Sequence, residues 1–523
     1  MYLLSSHSIS SCCSFLLASF CSVQDHVVTT TTTRAKKSQF FSFRFIEFRS
    51  RVRKSRSAKL NPAVKSMMES QHEPGIRRER ILETEVAIVG GGLGGLACAV
   101  GLQERGIKTH VFEKATTRRH HSGTAISIAE NGITALEGIQ LGLSLKMRKV
   151  GSDITNLEFT KEYPGKQEEV VEWTKKPGEI FMIPWKMAQY VLAEQLDLQL
   201  IHWGHTFHNY RHIEGSNGVE AYFTVDGDED QSVVVRAKLL VGADGMHSVI
   251  RKQMIGDDAR YLSLVDWNCI ILNPDLSLLN IGDPLGKLCD THGHKMSISK
   301  SFVVHMMDEV GSDYSLWQIR LPDENGELSE AFKSDFHEYG ENAKKMRVLK
   351  GLAKLKSTFK ETDKMSFFKS LEEAINITEA GLVREGKCFD RLPLTSWIDP
   401  NSAPVVLIAD AANGMHATPG QGARTAFEDA HQLNLLLDEV FNGPNKDITM
   451  EKALKRFDQI RVPRLTKMQS YAAETTYFDK FTPEWVLNLP QGEREKRAYE
   501  FAVWISAYPD KMHGDPDSTY WKP

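Results

Sequence analysis

Short β-branched runs recur along the chain, and each breaks off at a glycine-rich or acidic turn that opens a helical pattern. Glu85-Val86-Ala87-Ile88-Val89 reads as a buried parallel strand. It runs into Gly90-Gly91-Gly92-Leu93-Gly94-Gly95, and Leu96 to Arg105 then reads as a helix stopped at Gly106. Thr109-His110-Val111-Phe112 is a second strand, ending in Glu113. Ala237 to Val241 and Val405 to Ile408 repeat the theme of an apolar strand feeding a turn and a helix. In between, Ile201, Trp203, Phe207 and Tyr210 alternate as in paired strands, and Ala453 to Arg464 reads as a helix. Tyr477, Phe478, Phe481, Trp485, Phe501 and Trp504 predict a packed helical cap near the C-terminus. No stretch of ~18 uncharged apolar residues appears, so no spanning helix is expected.

Composition narrows the class. The 523 residues are 41% hydrophobic, 25% charged and 9% aromatic, which excludes collagen-like, mucin-like and wholly disordered chains. The length allows two or three domains. The net charge of −4 is unevenly spread: residues 1–66 carry eleven Lys or Arg against Asp25 and Glu47, a balance of +9, which leaves −13 for the rest. An acidic body offers no basic face for phosphates, so nucleic-acid binding is not expected.

The first 66 residues hold fourteen serines and the basic run Arg49 to Arg56, the composition of an organelle transit peptide. A plastid (chloroplast) is the expected destination, with a mitochondrion second. A secretory signal is disfavoured because no positive charge precedes the short apolar core Ser14 to Phe20 and a long basic tract follows it. The cysteines beyond this leader (Cys98, Cys269, Cys289 and Cys388) are scattered as reduced thiols would be.

Gly90, Gly92 and Gly95 form G-x-G-x-x-G between a strand and a helix. The first glycine permits the tight turn, the second lets backbone approach a pyrophosphate, and the third lets helix and strand pack closely. The helix N-terminus favours phosphate charge. Glu113, 21 residues after Gly92, can accept hydrogen bonds from a ribose diol, so NAD and the AMP half of FAD both fit.

Two further motifs separate these choices by resemblance. Gly242-Ala243-Asp244-Gly245-Met246-His247-Ser248-Val249-Ile250-Arg251 resembles the "DG" motif of single-component flavoprotein aromatic hydroxylases. Ala409-Asp410-Ala411-Ala412-Asn413, continuing through Pro419-Gly420-Gln421-Gly422 to Glu428-Asp429, resembles the "GD" motif of the same family. Tyr261, Trp267 and the segment Phe389 to Trp397 agree with it, and the resemblance covers most of residues 80–475. The family includes salicylate and 3-hydroxybenzoate hydroxylases, kynurenine monooxygenase and zeaxanthin epoxidase.

The resemblance implies an α/β fold: a three-layer Rossmann-like FAD-binding domain interrupted by a sheet-rich substrate domain, with a helical C-terminus. The FAD domain would comprise residues 80–150, 181–260 and 398–440, and the substrate domain 151–180 and 261–397; residues 441–523 would be the helical region. FAD would be reduced by NADPH or NADH, and O2 would form a C4a-hydroperoxide. One oxygen atom would then hydroxylate or epoxidise a small aromatic or isoprenoid-like substrate. The cofactor-binding residues carried over are Gly90, Gly92, Leu93, Gly94, Gly95, Glu113, Arg119 (flanked by Arg118 and His120), Asp244, Arg251, Asp410, Gly420, Gln421 and Gly422. In the family arrangement Asp244 and Arg251 support the flavin and the nicotinamide approach, Asp410 bonds the ribitol, and Gly420 and Gly422 let backbone pass close to the ring. No protein catalytic residue is assigned beyond His416 as a weak candidate, its default reading being a solvated loop histidine. The histidine group 202, 205, 208 and 212 has no acidic or cysteine ligand in step, and no metal is expected. Peripheral membrane association is compatible with an isoprenoid substrate.

The sequence departs from the family at Ala409 (usually Gly), Asn413 (usually His), Ala417 (generally Pro) and Trp185, which aligns with an arginine; Lys186 beside it offers a point charge instead. A flavin reductase of the same fold and a non-catalytic FAD-binding relative are therefore the alternatives.

Overall fold

The computed structural model describes residues 80–508, except 118–123, 155, 162–168, 175–177, 214, 216, 227, 273–292, 300–301, 312–313, 324, 335–339, 358–363, 418, 446, 475–484 and 486–487. The leader expected in residues 1–66 therefore lies outside the described residues, as does Arg119.

The chain begins with β1 (Arg80–Val89), α1 (Leu93–Glu104) and β2 (Thr109–Glu113). β3 (Ala125–Ala129), α2 (Glu130–Ile139), α3 (Leu143–Arg148), β4 (Ser152–Asp153), β5 (Asn156–Lys161) and β6 (Glu169–Thr174) follow. β7 (Ile180–Pro184) leads into α4 (Trp185–Ala193), then β8 (Ile201–Trp203), β9 (His205–His212), β10 (Val219–Val225), β11 (Asp228–Gly242) and α5 (Val249–Ile255). Next come β12 (Arg260–Leu272), β13 (Gly293–Ser299), β14 (Phe302–Gly311), β15 (Tyr314–Pro322), α6 (Glu327–Ser334), α7 (Ala343–Lys356) and α8 (Lys364–Ile377). The last elements are β16 (Arg384–Asp390), β17 (Val405–Leu407), α9 (Ala409–Asn413), α10 (Gly422–Phe441), α11 (Met450–Glu474) and α12 (Gln491–Ser506).

β1 lies between β2 and β11, parallel to both, and β2 is extended by parallel β8. The free edge of β11 is shared by antiparallel β10 and, at its end, parallel β17. Residues 86–89 are buried, so this strand reads apolar without alternation, as a central parallel strand must. The fold is the α/β class expected, and every turn that carries a glycine motif leaves the same end of this sheet.

A second sheet has the order β16-β12-β15-β14-β13-β5-β6. One of its faces is apolar: Val265, Trp267, Trp317, Ile319 and Leu321 bury against Val348 and Leu352 of α7 and Phe368, Leu371 and Ile375 of α8, forming a second core. β3, β7 and β4 make a small third sheet. The helix expected over Ala453–Arg464 runs from Met450 to Glu474 and carries Pro463 inside it. Of the C-terminal aromatics, Phe501 and Trp504 lie on α12 and bury in the main core, whereas Tyr477, Phe478 and Phe481 lie outside the described residues.

Candidate active site

Backbone geometry dictates the first turn. Gly90 has φ +113°, and a Cβ there would lie 2.2 Å from the Ala243 carbonyl oxygen, so only glycine fits where β1 and β11 end together. A Cβ on Gly95 would lie 2.0 Å from the Gly90 oxygen, which is how closely α1 sits on β1. Gly92, by contrast, caps α1 with open space around its would-be Cβ and no side-chain cap, and Leu93 behind it is buried. The first amides of α1 are thus available to an anionic group. Glu113 closes the turn from β2: its Oε2 accepts from the Gly91 N–H at 2.7 Å and its Oε1 from the Ala115 N–H at 2.9 Å. Gln189 of α4 donates to the Gly91 carbonyl at 2.6 Å from a buried position. Sequence reasoning missed Gln189, whose one signal is its place three residues after Lys186 on the same helix.

The second motif divides its work. Asp244 Oδ2 accepts from Val249 N (2.7 Å) and Ile250 N (3.2 Å), capping α5, and Ser248 Oγ accepts from Arg251 N. Asp244 Oδ1 is buried and without a hydrogen-bond partner. Enclosure pushes this carboxyl above its ordinary value against the pull of those amides. Arg251 is fully buried and directs its guanidinium onto Asp257 and the carbonyl oxygens of Ala412 (2.7 Å) and Leu392 (2.9 Å). It bolts the second motif to the third.

The third motif contains a strained residue. Ala409 adopts φ +55°, and its N–H donates to Asp429 Oδ2 at 2.9 Å. Its methyl faces Gly94, where a Cβ would come within 2.7 Å of it, so the first and third motifs touch. The following carboxylate, Asp410, is exposed yet ringed by protein. Its pKa is raised by that enclosure and by the Asp429 charge. Asp410 Oδ1 stands 3.9 Å from where a Gly422 Cβ would be, opposite the N-terminus of the 20-residue α10. Gly420 (φ +61°) makes the turn into that helix, beside Ser127. Gln421, buried at the Ncap, accepts from Asn131 Nδ2 at 3.2 Å, and its own Nε2 is buried without a partner.

Beneath α10 lies a fully buried ion network. Asp429 takes Asn413 Nδ2 (2.9 Å) and Arg461 Nε (2.8 Å); Glu428 takes Arg461, Arg464 (2.6 Å) and Asn131 (2.9 Å). Burial would raise the Glu428 carboxyl, but Arg464 and Arg461 outweigh it and hold the group below its usual range. Asn413, which replaces the family's histidine, is thereby employed as an Asp429 donor.

His416 is not the solvated loop histidine expected. It is 4% exposed, and burial together with the Arg320 charge lowers its pKa to about 3. The loop that carries it turns inward onto the second sheet. Trp185 N–H donates to the Thr124 carbonyl at 2.9 Å, and burial lowers the pKa of half-buried Lys186. His202 accepts or donates to His110 at 2.9 Å across β8 and β2. Among the described residues no group of three or more His, Cys, Asp or Glu could hold a metal, and no helix is long and apolar enough to cross a membrane.

These residues fit a dinucleotide. An open helix N-terminus at Gly92, an acid at Glu113, an open carboxylate at Asp410 and the unpaired Asp244 Oδ1 and Gln421 Nε2 offer donors and acceptors around meeting turns. A model of the family described as FAD binding domain matches residues 83–320. The chain is 26% identical to 3-amino-4-hydroxybenzoate 2-monooxygenase of Streptomyces platensis, covering 79% of this chain and 90% of that protein. It is 23% identical to chloroplastic zeaxanthin epoxidase of Oryza sativa subsp. japonica, over 76% of this chain and 55% of that one. Among solved structures, Klebsiella pneumoniae HpxO complexed with FAD and uric acid superposes with TM-score 0.57 at 18% identity, covering 82% of this chain and 96% of that one.

Proposed function

We propose that this chain, which is similar in sequence to FAD-dependent monooxygenases and carries an FAD-binding-domain match over residues 83–320, uses NAD(P)H and O2 to hydroxylate or epoxidise a small aromatic or isoprenoid-like substrate. The observation that carries this reading is Asp410: an open carboxylate set deep in the protein, facing the uncapped N-terminus of α10 and adjoining the glycine turn of α1. In this reading Gly92 and the first amides of α1 hold the pyrophosphate, Glu113 the adenosine ribose, Asp410 the ribitol, and Gly420 to Gly422 the ring edge. FAD, when bound, supplies the two-electron exchange with the nicotinamide and the activation of O2. The protein's part is positioning and exclusion of water. Arg251 and the Glu428–Asp429–Arg461–Arg464 network fix the turns, and neutral, buried His416 lines the side toward the second sheet without adding charge.

The test is visible absorbance of the purified protein before and after anaerobic NADPH, then O2 uptake with candidate substrates. Paired near-UV and blue flavin bands, bleached faster when substrate is present, with O2 consumed in step, are expected. A protein that stays colourless after incubation with FAD refutes the reading and favours a non-catalytic relative. NADPH oxidation that reduces substrate without O2 uptake favours the reductase. A plastid location is proposed on the composition of residues 1–66; a fluorescent fusion of that segment found elsewhere would refute it.

A further inference from the structure

The second sheet has a face that its helices do not explain. In the β12–β15 ladder Asp266 is opposite Arg320 and Asn268 opposite Gln318, while Trp267 is opposite Ile319 and Cys269 opposite Trp317. Residues directly opposite share a face. Trp267, Trp317 and Ile319 meet α7 and α8 in the apolar core, so Asp266, Asn268, Gln318 and Arg320 occupy the other side. A polar sheet face usually meets solvent. Here Asn268, Gln318 and Arg320 are 6%, 6% and 7% exposed. The Arg320 charge acts on the His416 ring, so the Arg320 end of this row lies near the loop of the third motif.

Asp266 organises the row. Its Oδ1 accepts from Gln318 Nε2 at 2.6 Å and Arg320 at 3.0 Å, and its Oδ2 accepts from Asn268 Nδ2 at 2.6 Å. A carboxylate oxygen can only accept, so it fixes which way the Asn268 carboxamide is turned: nitrogen to Asp266, oxygen away. That oxygen, Asn268 Oδ1, is buried with no hydrogen-bond partner. Buried carbonyl acceptors are rarely left so, and this one sits among side chains already committed to one another.

We propose that Asn268 Oδ1 is a specificity-determining acceptor that reads a neutral hydroxyl or amino group on the substrate. The inference rests on the monooxygenase reading and adds to it a substrate position beside this row, on the side where the Arg320 charge reaches His416 of the third motif's loop. A carbonyl oxygen repels a carboxylate or phenolate, and Arg320, engaged with Asp266, does not offset that repulsion. The subsite therefore selects an uncharged donor.

The test uses the full-length protein with two probe pairs, each differing in one hydroxyl: 3-hydroxybenzoate against 3-methylbenzoate, and 3-hydroxy-β-ionone against β-ionone. Binding is followed by perturbation of the flavin spectrum and, on the same samples, by calorimetry. In at least one pair the donor-bearing probe should bind about tenfold tighter, as one hydrogen bond to a buried acceptor provides. Asn268→Ala should reduce that ratio to about twofold or less with flavin occupancy unchanged, and with some loss of stability because Asp266 loses a donor. Asn268→Ser, whose short hydroxyl can still donate to Asp266, should do the same and decides the matter if the alanine variant does not fold. No preference in the wild type, or a preference that survives both substitutions, overturns the proposal; the orphan acceptor would then be held by water. A colourless protein that still discriminates the probes by calorimetry would refute the monooxygenase reading and leave Asn268 standing.

Discussion

The contact between Gly94 and Ala409 can be tested by exchanging the two residues. A methyl placed on Gly94 would lie 2.7 Å from the Ala409 methyl and 3.4 Å from that of Ala426. Carbon atoms rest about 3.5–4.0 Å apart, so the turns must separate by roughly 1 Å. Both methyls are fixed to backbone and no rotamer relieves them, which puts the strain of Gly94→Ala at about 1–3 kcal/mol. Ala409 itself, at φ +55°, carries the left-handed cost of about 1–2 kcal/mol. Ala409→Gly recovers that cost but forfeits part of a methyl's burial and adds about 0.4–1 kcal/mol of unfolded-chain entropy, so alone it should be near neutral or slightly stabilising. The backbone terms belong to single sites and cancel in a double-mutant cycle, leaving the clash. The variant carrying both changes should exceed the sum of the singles by about 1–3 kcal/mol in urea unfolding. A coupling below about 0.5 kcal/mol would show that the two motifs do not touch in this way.

Asp410→Ala should leave the apoprotein as stable as the wild type, because the carboxylate is raised in pKa by its surroundings and by Asp429, while FAD retention on gel filtration falls sharply. Full flavin occupancy in that variant would sink the ribitol assignment. Arg461→Met strips a donor pair from Glu428 and Asp429, both fully buried, and should cost about 3–5 kcal/mol in urea unfolding; a loss under about 1 kcal/mol would contradict the network's role. His416 is held neutral, its pKa lowered from 6.5 to about 3. The unfolded chain takes up a proton below about pH 6.5 that the native protein refuses, so this site's contribution to stability falls as pH falls toward 3. Between pH 7 and 5.5, His416→Gln should therefore lose about 1 kcal/mol less than the wild type; parallel pH profiles would refute the assignment.

The first motif is legible in the chain because its constraints are local and steric. A glycine that must hold φ +113° beneath a carbonyl oxygen, and another whose Cβ would lie 2.0 Å from backbone, leave a spacing that any reader of the chain can see. The ion network is not legible, because Glu428 and Asp429 meet partners 32 to 36 residues away, and charges on a long helix ordinarily mark its solvated side. The polar row of β12 misleads for a related reason. The alternation Val265, Asp266, Trp267, Asn268 is plain in the sequence, but that the polar side is buried as well is visible only in the structure. His416 misleads with it, since a histidine between glycine and threonine-proline has no local feature that distinguishes an inward loop from an outward one.

Ala409 joins these levels. An alanine in left-handed conformation persists only where its neighbours over-determine it. Here Asp429 takes its N–H, Asn413 adds a second donor to the same oxygen, and Arg461 from α11 holds Asp429 from the other side. The network that locks α10 to α11 thus also imposes the turn that presents Asp410 to the α10 N-terminus. With glycine the turn would be intrinsically accessible; with alanine it depends on that buried charge. It follows that damage to Arg461 should reach the cofactor through the backbone of residue 409 even though no atom of Arg461 lines the site, and that Ala409→Gly in the Arg461→Met background should restore flavin occupancy more than it restores stability.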